Sequence, residues 1–144
     1  TAAPTPGHAP QCGDLAFWKD KTKYLVTNDR VQAQSGVTNS RNLFAGVFCS
    51  ISGGAAGTAS ITAGNYGAIQ QRGQHIGVLT SAATLAAGLA IIVSGSASAP
   101  DGVNSAIGVA PISPVVGIAT AANGAVTATY TPATLGGWDD VDTP

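Results

Sequence analysis

Side chains able to do acid–base, nucleophilic or metal chemistry are few: His8 and His75, Cys12 and Cys49, and seven Asp with no Glu. Paired-carboxylate catalysis needs two carboxyl groups with separated environments. Asp14, Asp20 and Asp29 fall in polar strand or turn settings, and Asp139, Asp140 and Asp142 in a solvated tail. A Ser-His-Asp relay has two histidines to draw on, and no serine lies in a Gly-x-Ser-x-Gly elbow. The cysteines lack Cys-x-x-Cys spacing. Two cysteines leave one possible disulfide, but Cys12 lies in a Pro-rich stretch and Cys49 in an apolar run, so the expectation is two reduced thiols, one of them buried. A zinc site built from His8, Cys12, Cys49 and His75 would have to gather its ligands over long sequence distances. Gly clusters occur without the Lys-Ser/Thr of a phosphate loop or the strand-to-helix context of a dinucleotide fingerprint. The expectation is a protein without catalytic residues, metal, cofactor or small-molecule substrate.

One pattern does carry a mechanism. If residues 16–27 are extended, period-two alternation sets Lys19, Lys21 and Lys23 on one face, with Trp18, Asp20, Thr22 and Tyr24 on the other. Such a ridge docks onto an acidic partner, or guards an edge strand against stray pairing. Three phosphate contacts would give a salt slope of about −2.7, too shallow for a dedicated nucleic-acid binder. Phe17 and Trp18, and Trp138 beyond Gly136-Gly137, are candidate interface anchors, since aromatics are enriched there. The competing reading for Phe17 and Trp18 is a strand with one ring in the core and one at its boundary.

The elements that must position these groups carry almost no charge. Between Asn42 and Trp138 there are two ionised side chains, Arg72 and Asp101, and the whole chain is 9% charged, against about 25% in ordinary domains. A surface made wet by Gly, Ala, Ser and Thr suits a subunit that covers itself with copies or with a larger assembly. Residues 1–41 hold five cations against three Asp, while the end after Trp138 is purely acidic. Asp139 and Asp140 next to Trp138 are accordingly candidate inter-subunit contacts. The net charge of −1 offers no global field for nucleic acid or an anionic membrane. The uncharged stretch 76–93 has the length of a membrane span. Its Thr, Ser, Ala and Gly content, without an aromatic belt or basic flank, reads instead as strands and turns. No basic-then-apolar leader pattern opens the sequence.

With 144 residues one domain is expected. Residues 1–13, with Pro4, Pro6 and Pro10, read as an extended arm able to reach over a neighbour, or as a frayed terminus. Residues 14–135 read as an all-β domain and 136–144 as an acidic tail. Short β-prone runs lie at 15–18, 24–27, 30–34, 43–51, 59–62, 66–71, 75–79, 89–94, 106–110, 115–119 and 125–130, with at most one short helix at 81–87. Asn123-Gly124 signals a hairpin. Gly46-Val47, Gly77-Val78, Gly108-Val109 and Gly117-Ile118 put Gly before a β-branched residue inside runs, the mark of bulges in curving strands. A compact sandwich or barrel follows.

Ile61-Thr62-Ala63-Gly64-Asn65-Tyr66-Gly67-Ala68-Ile69-Gln70 with Gly73, then Leu85-Ala86-Ala87-Gly88, Ala106-Ile107-Gly108-Val109-Ala110 and the Asn-Gly hairpin, follow an order that resembles tailed-phage capsid decoration (cement) proteins. The resemblance spans roughly residues 43–131. It implies a tulip-like all-β fold and a homotrimer on the exterior of an expanded virion shell. Its partner there is the major capsid protein, and its role is holding the shell against internal pressure. The arm and the acidic tail lie outside the resemblance, and no contact residue carries over by motif. A fibre or adhesin-type subunit is the alternative from composition, and a small hydrolase the alternative from chemistry.

Overall fold

The computed structural model describes residues 9–28, 44–49, 54–57, 62, 64–80, 86–93, 103–105, 115–122 and 129–136. Every regular element among them is a strand: β1 (Leu15–Asp20), β2 (Leu25–Thr27), β3 (Phe44–Cys49), β4 (Ala68–Gln70), β5 (Gly73–Thr80), β6 (Ala90–Val93), β7 (Val103–Ser105), β8 (Val115–Ala119) and β9 (Thr129–Leu135). They form a four-stranded antiparallel sheet, β2-β1-β3-β4, and a barrel with the circuit β5-β7-β6-β8-β9. Neighbours in the barrel are antiparallel except β5 and β7, which meet at the single parallel pair Thr80↔Val103. The protein is all-β.

The core between sheet and barrel follows from alternation. Leu15 and Phe17 of β1 point into a cluster with Val47, Val78, Ile91, Val116, Ala119, Ala133 and Leu135. Ala16 turns to the opposite face, where Ala45 and Phe48 are buried and Trp18, Val26 and Ile69 pack against them. On β3, Phe44 and Val47 both meet the main core although they are three residues apart. Strict alternation forbids this, because an odd step changes face. A bulge resolves it: Ala16 pairs with Gly46 and Phe17 with Phe44, leaving Ala45 as the extra residue. Gly46 takes φ +143°, and a Cβ there would stand 2.7 Å from the Gln70 carbonyl oxygen. Gly77 and Gly117 likewise sit beside register shifts, between His75 and Val78 and opposite Ile91/Ile92. Three of the four Gly-before-β-branched phrases thus mark bulges; Gly108 lies outside the described residues.

β9 runs to Leu135, beyond the expected end at Tyr130, and it does so through Pro132. Proline cannot donate to a ladder. Pro132 sits opposite the β5 bulge, where one residue faces two and no amide hydrogen is required of it, and its carbonyl accepts from the Thr120 amide at 2.9 Å. The expected runs at 30–34, 106–110 and 125–128, most of 59–62, the Asn123-Gly124 turn and residues 81–85 of the expected helix fall outside the described residues. Residues 76–93 contribute β5 and β6, and among the described residues no helix is long and apolar enough to cross a membrane.

The domain begins before residue 14. Gln11 to Asp14 form a turn in which the Asp14 amide donates to the Gln11 carbonyl at 3.0 Å and Gly13 takes φ +101°, the glycine-requiring third position of a type II turn. Gly13 then ties the two halves together. Its amide donates to the Phe48 carbonyl at 2.9 Å, and its carbonyl accepts from the Leu79 amide at 2.8 Å. The last residues of the segment read as an arm therefore belong to the domain, with Cys12 and Gly13 buried and Pro10 half-buried. Residues 1–8 lie outside the described set.

Candidate interaction surface

β1 and β2 form a hairpin whose tip is residues 21–24, and the expected extended segment 16–27 is replaced by it. Two local features break the alternation. Trp18 pairs with Val26 and Asp20 with Leu25, so Lys19 is a bulged residue. Asp20 then organises the turn: its Oδ1 accepts from the Thr22 amide at 2.9 Å and the Thr22 hydroxyl at 2.7 Å. Short polar side chains that bind the backbone two residues on are turn formers. The Thr22 hydroxyl is the largest influence holding the Asp20 carboxyl below its ordinary range; desolvation opposes it, and the Thr22 and Lys23 amides and the Lys23 charge add to the lowering.

Lys19, Lys21 and Lys23 are all exposed and surround the tip rather than forming a row on one strand. Lys23 lies 3.7 Å from Asp20 Oδ2, a solvent-facing pair. The edge-guard reading fails for Lys19, because β1 lies between β2 and β3. Of the proposed anchors, Phe17 is wholly buried in the main core and edge-on to Phe44 with centroids 6.4 Å apart. That burial takes it out of the set of available surface contacts. Trp18 stays half-buried at the boundary, with its ring 6.5 Å and 68° from that of Tyr24. Pro4, Pro6, Trp138, Asp139 and Asp140 lie outside the described residues.

Tyr24, which the sequence pattern placed on the face opposite the lysines, is a further contact candidate. It is 82% exposed and has φ +54°, a left-handed conformation uncommon for a bulky residue. Leu25 is exposed beside it, and elsewhere Tyr66 and Ile76 are exposed too. Tyr66 sits among the exposed Gly64, Asn65 and Gly67. That glycine-flanked setting is a signal the sequence did contain.

The candidate metal ligands converge only in part. Cys12, Cys49 and His75 line one open cleft of ≈ 250 Å³, together with Gly54, Gln70, Gln74 and Ile76. Both ring nitrogens of His75 are committed. Nε2 faces the Phe48 carbonyl at 3.1 Å and Nδ1 accepts from the Gly77 amide at 3.1 Å, which fixes the neutral Nε2–H tautomer. Burial pushes the His75 pKa down, outweighing the bond to Phe48. Among the described residues, no three acidic, His or Cys side chains are placed to hold a metal. Neither cysteine is in a disulfide.

The entry turn also holds a buried polar node that no motif announced. Asp14, without solvent exposure, accepts at Oδ2 from the Gln11 amide at 3.0 Å and from Asn28 Nδ2 at 2.9 Å. The Tyr130 hydroxyl lies 3.1 Å from Asp14 Oδ1 and 3.2 Å from Gln11 Oε1, and its one proton serves either. The Tyr130 ring lies against Gly13 and Gly57, where a Cβ would collide with it. The node is a fastening of the entry turn to β9. The chain matches no family model, no curated protein and no solved structure.

Proposed function

We propose that the protein is a structural subunit of a phage head, bound to the exterior of the expanded shell through the major capsid protein and self-associated, as a trimer, over local symmetry axes. The observation that carries this reading is a chain only 9% charged that displays large hydrophobic side chains to solvent: Tyr66 fully exposed, Tyr24 at 82% and Ile76 at 61%. Water gains little from such groups, and a covering partner recovers their burial at about 25 cal/mol per Å².

In this reading the hairpin tip is the docking element. Tyr24 and the Trp18 edge supply an aromatic anchor of the kind that dominates interface energetics. Three ammonium groups around it favour an acidic partner and speed encounter. A binder that recognises only the expanded shell stabilises that state by mass action, multiplied over many copies. No bond is made or broken, so the function needs no catalytic group.

The test is co-sedimentation with expanded heads that lack an outer protein, comparing wild type, Tyr24→Gly, and a triple variant with Lys19, Lys21 and Lys23 changed to Ser. Tyr24→Gly should bind at least about tenfold more weakly, the loss of one anchor being worth 1.4 kcal/mol or more. The triple variant should lose most of its salt dependence. Unchanged binding by both variants removes the hairpin from the interface.

A further inference from the structure

The geometry points to Cys12 and Cys49 as a redox modification site: a thiol pair that a hydroperoxide converts into an intrachain disulfide, clamping the entry turn to β3. Nothing in the shell-binding reading is needed for this. The two residues are brought together by backbone, not by chance approach of side chains. The amide of Gly13, which follows Cys12, donates to the carbonyl of Phe48, which precedes Cys49, at 2.9 Å, and the Phe48 amide returns a bond to the Asp14 carbonyl at 2.9 Å. These bonds hold Gly13 and Asp14 against Phe48 and so set the adjoining Cys12, in the entry turn, beside Cys49; facing residues on paired chains have Cα atoms about 4.5–5.5 Å apart, inside the span a disulfide bridges. Both residues line the same cleft.

Their environments assign the order of events. Cys12 is 2% exposed, whereas Cys49 is half-buried at the cleft wall, its Sγ 3.7 Å from Gln70 Oε1. Burial, and then the neighbouring Cys12, push the Cys49 thiol up, so attack is slow and reduced protein persists without oxidant. Cys49 is the sulfur a small oxidant reaches. Its thiolate attacks one peroxide oxygen, the O–O bond breaks, and Cys49 becomes the sulfenic acid as the second oxygen leaves as water (or an alcohol). Cys12 then attacks the sulfenic sulfur and the hydroxyl departs as a second water. Two thiols are oxidised and one peroxide is reduced, with two protons accounted for in the waters.

The pair is separable by trypsin, since cleavage at Lys19, Arg41 and Arg72 puts Cys12 in residues 1–19 and Cys49 in residues 42–72. Native wild-type protein is treated with a small excess of hydrogen peroxide, denatured, alkylated and digested. The expected result is loss of both alkylatable thiols together, two hydrogens missing from the intact mass, and residues 1–19 linked to residues 42–72. The melting temperature rises by up to about 10 °C and returns on addition of a dithiol. In Cys12→Ser, oxidation stops at a dimedone-reactive sulfenic acid on Cys49. Should that variant fail to fold, the wild-type peptide map decides alone. Cys49 sulfenic or sulfinic acid accumulating in wild type while Cys12 still alkylates, or disulfides joining two chains, overturns the assignment.

Discussion

Replacing Asp14 with Ala removes the acceptor around which the entry turn is built. Three donors lose an acceptor: the Gln11 amide at 3.0 Å, the Asn28 side-chain amide at 2.9 Å and the Tyr130 hydroxyl at 3.1 Å. The site is closed to solvent at Asp14 and nearly so at Asn28. A hydrogen bond to a carboxylate contributes about 1.5–3 kcal/mol, and a buried donor left without an acceptor costs about 1–3 kcal/mol. Against this stands the desolvation cost of the carboxyl itself, which the variant no longer bears. Tyr130 also keeps Gln11 Oε1 as a second acceptor at 3.2 Å. The net expectation is a loss of about 3–5 kcal/mol, a large fraction of the 5–15 kcal/mol that holds a domain together. Tyr130→Phe removes one donor and keeps the ring among its glycines, so it should cost about 1–2 kcal/mol. In the double variant the two losses should not add, the coupling being about 1 kcal/mol or more because the groups touch. Urea unfolding followed by tryptophan fluorescence measures all three. An Asp14→Ala cost below about 1 kcal/mol, or strict additivity with Tyr130→Phe, refutes the node as the fastening of the turn.

Other outcomes follow from the same packing. Gly57→Ala combines a left-handed backbone (φ +78°) with a Cβ 2.6 Å from the Tyr130 ring, whereas Gly64→Ala has φ +85° and open space around it. The second should cost about 1–2 kcal/mol and the first clearly more, and equal chemical-denaturation midpoints contradict the glycine seat for Tyr130. Tyr24→Gly trades relief of a left-handed tyrosine against loss of its contact with Trp18, so unfolding stability should change by less than about 1 kcal/mol while shell binding falls. His75 is held neutral in the folded chain and titrates near 6.5 when unfolded. As pH falls below that value the unfolded state takes up protons first, so stability declines through the window beneath 6.5. Urea midpoints at pH 7.5 and 5.5 should show that decline, and His75→Gln should flatten it. Deleting residues 1–13 removes the Gly13 bridge to β3 and β5 and should unfold the domain, read by circular dichroism.

Much of the β architecture could be read from residue patterning because alternation and glycine are local signals. The apolar runs around Phe44–Cys49, Gly73–Thr80 and Val115–Ala119 became strands, and Gly46, Gly77 and Gly117 marked their bulges. Bulges also explain where the reading failed. A bulge at Lys19 followed by the Asp20 turn broke the period on which a lysine row depended. Pro132 hid the last strand, since only its place opposite a bulge makes it tolerable. The Asp14–Tyr130 pair is 116 residues apart in sequence, and no local pattern encodes such a contact. Cys12 read as part of an arm because three prolines precede it, while the turn that buries it is set by Gly13 and by bonds to β3 and β5.

The claim that a sparsely charged exterior with exposed tyrosines exists to be covered is tested most directly by titrating the purified protein onto expanded heads lacking an outer protein and counting copies bound in the pellet. Saturable binding at a fixed multiple of the shell's local symmetry positions, with added resistance of the heads to heat, is the predicted result. A chain that sediments as a lone monomer at high concentration and stays in the supernatant with every head tested contradicts it.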